Sequence, residues 1–296
     1  MSQPDRSREI IAEVLLLAVV LIWASNFPIA KYAISRLDVF VFNGIRYIVA
    51  ALVLALIFRL RFTWTPIQKD DWPKLLRAGL VANVFYQVAF IVGLSLTTAG
   101  NSAVLLATAP LWTVFLNARI HRERIGPLIW TGMVASLIGV VMIIIGSGKK
   151  LEFGGTELFG DVISLAAAFL WGLNTNLQKP LLTRYSTLQI SLVMILVGAV
   201  VLSAIAVPAA LTLDWGSVHW TYYAAAIVSG ALSSAIANIF WSFGVKRLGP
   251  RKTGNFSNLV PVLALAISYF TLHEELFLIQ FIGAAVTIAG VWVARR

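Results

Sequence analysis

The sequence contains no cysteine, which excludes disulfides, thiolate nucleophiles and cysteine metal ligands together. Charge is scarce as well: 12% of the residues are charged, against about 25% in soluble domains. Acidic residues are the scarcer sign, 13 among 296, and none falls in the middle of a long apolar run. Proton-coupled carriers usually keep an intramembrane carboxylate as a relay, so this absence points away from proton coupling. The three histidines, His121, His219 and His273, sit at the ends of apolar runs. There is no His-Glu-x-x-His motif and no pair of intramembrane aspartates. Without a nucleophile–base set or a ligand cluster, an enzyme has no ingredients here, and no metal or organic cofactor is expected. Neither a carbonyl-filter sequence nor a ring of like charges appears, which counts against an ion channel.

What is present is apolar. Hydrophobic residues make up 59% of the chain and the mean hydropathy is +0.86. One soluble core cannot bury that much, so most of it must face lipid. A membrane-crossing helix needs roughly 20 apolar residues. Apolar runs between charged or Gly/Pro punctuation predict ten helices, over 10–32, 39–58, 75–94, 102–118, 128–146, 158–177, 188–207, 222–245, 256–272 and 277–294. The first run is long and lacks a small-x-small cleavage site, so it reads as a retained helix rather than a leader.

The net charge of +10 would suggest nucleic acid in a soluble protein. Here its placement argues for topology instead. Alternate loops hold 18 Lys and Arg on one side and 4 on the other, with Arg46 left inside a run. By the positive-inside rule both termini are cytoplasmic. No nucleic-acid partner is expected; the partners are the bilayer and a small molecule.

The chain also repeats itself. The stretch from Trp23 through Asn26 to Lys31 returns as Trp171, Asn174 and Lys179, 148 residues on. An offset of 151 aligns Gly79 with Gly230, Gly93 with Gly244, Pro110 with Pro261 and Glu123 with Glu274. The same offset aligns Gly132 with Gly283 and Gly139 with Gly290. Single glycine matches are weak, but an ordered set is not. The expected fold is therefore an all-α integral membrane protein of ten transmembrane helices in two five-helix repeats, 1–148 and 149–296. Five crossings is an odd number, so the second copy must be inverted. Inverted repeats are typical of secondary transporters, whose substrates bind near the midplane between the repeats.

These motifs resemble the drug/metabolite transporter superfamily, EamA type. The resembling stretches are 100–141 and 252–293, each with a mid-helix proline, a Glu in the tight connection and Gly-x6-Gly; the two Trp-x-x-Asn openings fit as well. Within that family the chain is most similar to YddG-type exporters of aromatic and other amino acids. The resemblance implies an exporter of small metabolites in the bacterial inner membrane.

A polar side chain in hydrocarbon needs a partner, water or a ligand. Residues sharing one helix face give the candidate substrate site: Trp23 and Asn26; Asn83, Tyr86 and Gln87; Asn101 and Trp112; Trp171 and Asn174; Asn238 and Trp241; and Asn258. Aromatic walls with scattered amides suit a zwitterion with an apolar or aromatic side chain. The alternative for each amide is an interhelical hydrogen bond. Pro28, Pro110 and Pro261, amid small residues, are candidate hinges for alternating access, or static kinks. Arg46 is expected to snorkel or to bond backbone carbonyls rather than hold a carboxylate. Glu123 and Glu274 are expected to cap the helices that follow them. The leading expectation is facilitated export of neutral, hydrophobic amino acids; the alternative is a proton-coupled exporter of drugs or other metabolites. Oligomeric state stays open, since small-residue faces serve packing within one chain or between two.

Overall fold

The computed structural model describes residues 3–121, 126–146, 155–274 and 277–294, and their long elements are all helical. Most helices follow an apolar run, but α11 continues through the charged stretch 246–255 that the sequence marks as a connection. The order is α1 (Gln3–Ile34), α2 (Val39–Arg61), α3 (Trp72–Leu80), α4 (Tyr86–Leu96), α5 (Ala99–Leu106), α6 (Ala109–His121) and α7 (Pro127–Gly146). Then come α8 (Thr156–Gln178), α9 (Thr187–Thr212), α10 (Trp220–Val228), α11 (Ala237–Ser257), α12 (Leu259–Leu272) and α13 (Leu278–Ala294). Starts are fixed by side chains that accept orphan N–H groups: Asp38 from Phe40 and Val41, Thr98 from Asn101, and Ser186 from Gln189.

Among the described residues, seven helical units are long and apolar enough to cross a membrane: Glu9–Ile34, Val39–Leu60, Lys69–Leu96, Ala99–Ile120, Thr156–Gln178, Thr187–Thr212 and Trp220–Leu248. Three shorter apolar helices, Pro127–Ile143, Leu259–Leu272 and Leu278–Ala294, coincide with the other expected runs. Large apolar side chains cover the outside: Leu211 is 81% exposed and Phe270 74%. In water that surface would aggregate; in a bilayer it faces its solvent.

Several of the ten runs are interrupted. The run 75–94 becomes α3, a π-helical segment Val81–Phe85, and α4. The run 222–245 carries a π-helical segment Ser229–Ile236 between α10 and α11. The expected single helix 102–118 is two, parted at Ala107 and Thr108 just before Pro110, whose missing N–H cannot continue the ladder. The run 256–272 begins inside α11 and is parted at Asn258, just before Pro261. An offset of 151 carries Val81–Phe85 onto 232–236 and position 107 onto 258, so the interruptions match between the halves. Pro28 lies inside an unbroken α1.

Packing follows the same correspondence. Helix α1 packs on α11 and α12, while α8 packs on α4 and α6; α2 packs on α9, and α7 on α13. The α7–α13 seam is the tightest. A Cβ on Gly132 would lie 2.5 Å from the Gly290 carbonyl oxygen, and one on Gly290 2.5 Å from that of Gly132. Gly139 and Gly283 face each other in the same way. Small residues let the backbones meet, which is how helices associate where lipid removes the hydrophobic driving force.

Candidate functional site

Two aromatic clusters form on the facing helices, their rings at least partly buried except Trp171, which is 37% exposed. In the first, Trp23 on α1 is 5.1 Å from Trp241 on α11, and its indole Nε1 donates to the Ser233 carbonyl in the π segment at 3.3 Å. In the second, Tyr86 on α4 is 5.1 Å from Trp171 on α8 and stacks on Phe90 at 6.1 Å. Phe90 meets Phe27 of α1 edge-on at 5.7 Å, which joins the clusters through one apolar core. Trp23 matches Trp171 at offset 148, and Phe90 matches Trp241 at 151. Trp112 stands apart against Phe169 at 5.5 Å, and its buried indole nitrogen has no acceptor among the described residues.

The candidate amides divide. Between helices, Asn26 accepts from Ser229 at 2.6 Å, Asn83 from the Tyr47 hydroxyl at 3.0 Å, and Asn101 from Gln280 at 2.9 Å. Within their own helices, Asn174 accepts from Gln178, and Asn238 donates to the Ser234 carbonyl. Asn258 is half-buried at the α11–α12 break. The structure thus groups Trp23, Asn26 and Trp241 on one side of the core, and Tyr86, Gln87 and Trp171 on the other. It leaves Asn101 at one end of the bundle.

Three expectations change. Arg46 does not snorkel, and among the described residues its hydrogen bond goes to a side-chain amide rather than to a backbone carbonyl. It is 4% exposed, donates from Nη1 to Gln87 Oε1 at 3.0 Å, and lies 5.7 Å from the Phe90 ring centre. Its position eight residues into α2 is too deep for a short reach to the interface, so it finds partners on α4. Glu274 does cap a helix start, but that of α5 in the other half. It accepts from Ala99 N at 2.7 Å and Gly100 N at 3.1 Å, because the end of α12 lies beside α5 rather than over α13. Glu123 lies outside the described residues. Finally, Asp161 is a buried carboxylate, 4% exposed, on the second turn of α8, where the run's early start hides it from a reading of mid-helix charges.

Side chains tie α1, α4 and α8 together at one end. Lys31 Nζ donates to three carbonyls, Leu94 at 2.7 Å, Ser95 at 3.1 Å and Thr97 at 2.6 Å, at the C-terminus of α4 where the dipole favours a cation. Thr97 Oγ1 donates to Asp161 at 2.6 Å. At the other end, Asp71 accepts from Lys74, Arg184 and Tyr185, and Gln189 pairs with the Thr65 backbone. That end also opens into a cavity of about 370 Å³ between α6 and α8. A smaller cavity, about 200 Å³, lies between α1 and the second π segment and includes Asn26 and Ser229. Sequence reasoning missed Asp161, Gln280 and the lysine ties. The repeated lysine that ends each Trp-x-x-Asn stretch was the available signal.

Known proteins place this geometry. A crystal structure of a protein superposes with a TM-score of 0.69, over 96% of this chain and 97% of its own, at 18% identity, which shows the shared fold. The uncharacterized transporter YetK of Bacillus subtilis is 28% identical, covering 95% of this chain and 86% of its own. YoaV from the same organism is 25% identical over 94% of both chains, and is likewise named an uncharacterized transporter. A protein of Streptantibioticus cattleyicolor named a probable terminal-alkyne amino-acid exporter is 28% identical over 95% of this chain and 92% of its own. The relatives are transporters, not enzymes. The model of the EamA-like transporter family matches twice, over residues 10–145 and 158–296, so the chain is a multi-pass membrane protein that belongs to that family.

Proposed function

We propose that the protein exports small neutral metabolites, foremost aromatic and other hydrophobic amino acids, across the bacterial inner membrane, in the manner of YddG-type exporters. Ten helices form two inverted repeats, 1–148 and 149–296, with both termini cytoplasmic. The matched interruptions, and the packing of α1 on α11 and α12 as α8 packs on α4 and α6, support that architecture. Discontinuous helices supply irregular backbone only where it lines a cavity. Accordingly, the breaks before Pro110 and Pro261 are the hinge candidates best placed to move, with Pro28 inside a continuous helix as a kink.

The observation that carries the substrate assignment is the pair of aromatic clusters at matched positions, each with amides within a turn. Rings of this kind hold an apolar or aromatic side chain, and amides turn toward its ammonium and carboxylate. The exporter named for an amino-acid cargo, among the relatives, fits this choice. Transport is facilitated diffusion down the substrate gradient. In proteoliposomes without an ion gradient, labelled Trp, Phe, Met and Leu should show saturable flux and a lipophilic cation none. Cation flux that needs a gradient, with no amino-acid flux, contradicts the reading.

Buried Asp161 favours a second reading, in which a proton accompanies the substrate through a carboxylate at the tied end. The two readings separate cleanly. Under facilitated diffusion, Asp161→Asn leaves flux unresponsive to an imposed proton gradient, as in the unsubstituted protein. Under coupling, the gradient accelerates flux in the unsubstituted protein and Asp161→Asn removes the acceleration.

A further inference from the structure

Lys31 and Lys179 end the same repeated stretch, one in each half. Their surroundings differ. All three donors of the Lys31 ammonium have carbonyl acceptors on the α4 end and the loop after it. Lys179, among the described residues, makes one bond, to Asn117 Oδ1 at 3.1 Å. It is exposed and lines the 370 Å³ cavity with Thr113, Asn117, Thr175 and Asn176, and among the described residues no acidic side chain lines it. The Asn176 amide is already committed to the Thr113 and Gly172 carbonyls, which holds the wall in place. The Thr113 and Thr175 hydroxyls likewise donate to the Ala109 and Trp171 carbonyls, so what remains is the ammonium with donors to spare and room at the low end of the size range of ligand sites.

We propose that this cavity is the receiving site for the substrate's anionic group, a carboxylate, with the Lys179 ammonium as its anchor. The proposal rests on the transport reading above and names the group that reading leaves unassigned. An ammonium in a partly walled pocket attracts a carboxylate more than one in open water, because neighbouring low-dielectric walls strengthen the interaction. The matched lysine shows what happens at a tied end, where chain carbonyls occupy the same donors. A lysine at an open end therefore offers to a carboxylate what backbone oxygens take when that end shuts. The anionic oxygens of a lipid headgroup share this chemistry, and the experiment separates the two sources.

The chain has no cysteine, so Val114→Cys, on the cavity wall, carries a single thiol. The labelling rate of that thiol by a membrane-impermeant reagent would be measured in nanodiscs of phosphatidylcholine, with tryptophan, tryptophanamide or indole-3-propionate added. Tryptophan and indole-3-propionate are expected to slow labelling about fivefold or more, and tryptophanamide not at all. Adding Lys179→Met should remove the protection, and Lys179→Arg should keep most of it. Equal protection by acid and amide, no protection by any probe, or full protection in Lys179→Met would overturn the proposal. So would protection that appears without solute on switching to phosphatidylglycerol, which would make a headgroup the occupant. If indole-3-propionate protects and tryptophan does not, the carboxylate site stands and the amino-acid reading fails.

Discussion

Gly139→Val is expected to lower the unfolding free energy by about 3 kcal/mol, the upper range for overpacking a tight interior. A Cβ at Gly139 would lie 2.5 Å from both the Gly283 carbonyl oxygen and the Thr287 amide nitrogen. Both are backbone atoms, so relief requires α7 and α13 to separate along their whole seam. Each half contributes two glycines to that seam, and parting it at one pair loosens the other. Thermal unfolding in detergent measures the effect. Gly126→Ala is the control, because nothing lies within 4 Å of its added Cβ. Equal midpoints for Gly139→Val and the control would mean that the seam is looser than described.

Trp23→Ala is expected to reduce flux of aromatic amino acids by about tenfold at substrate concentrations below saturation, the factor that roughly 1.4 kcal/mol of lost binding produces. Trp23 packs 5.1 Å from Trp241 and is tied to the π segment through Ser233, so it presents a fixed ring to the interior. The matched change, Trp171→Ala, should cost a similar factor. Trp23→Phe should retain most of the flux, since a ring remains. Trp215→Ala removes a half-exposed ring near a helix end and should leave flux unchanged. A uniform loss across all four would indicate a general effect of removing bulk. No loss at Trp23 would take the aromatic site away.

The helices and their order were legible because lipid demands long apolar runs, and the caps at Asp38, Thr98 and Ser186 stand in plain sequence. The α7–α13 seam was visible as spaced glycines, although which helix each would meet was not. The π segments were hidden. They arise from a shift of backbone bonding over Val81–Phe85 and Ser229–Ile236, residues that suit an α-helix equally well. Cross-helix partners were hidden for a different reason. Arg46 meets Gln87 41 positions away, and Glu274 meets Ala99 175 positions away; helical periodicity within one run carries no information about either. Trp23 and Tyr86 pack against one core, and Trp241 and Trp171 lie against them in turn, because each run places its aromatic residue on a helix face. Asn101 shared a face with Trp112 but accepts from Gln280, a pairing 179 positions apart that no single run encodes.

The central claim is a carrier that moves hydrophobic amino acids by exposing one site to each side in turn. Counterflow tests it most directly. Proteoliposomes loaded with unlabelled tryptophan would be diluted into trace labelled tryptophan with no ion gradient. A transient accumulation of label above equilibrium is expected, saturable and about tenfold slower in Trp23→Ala, because each return of the site is faster when loaded. Label that only equilibrates, at a rate linear in concentration and indifferent to the internal tryptophan, would contradict it and indicate a pore.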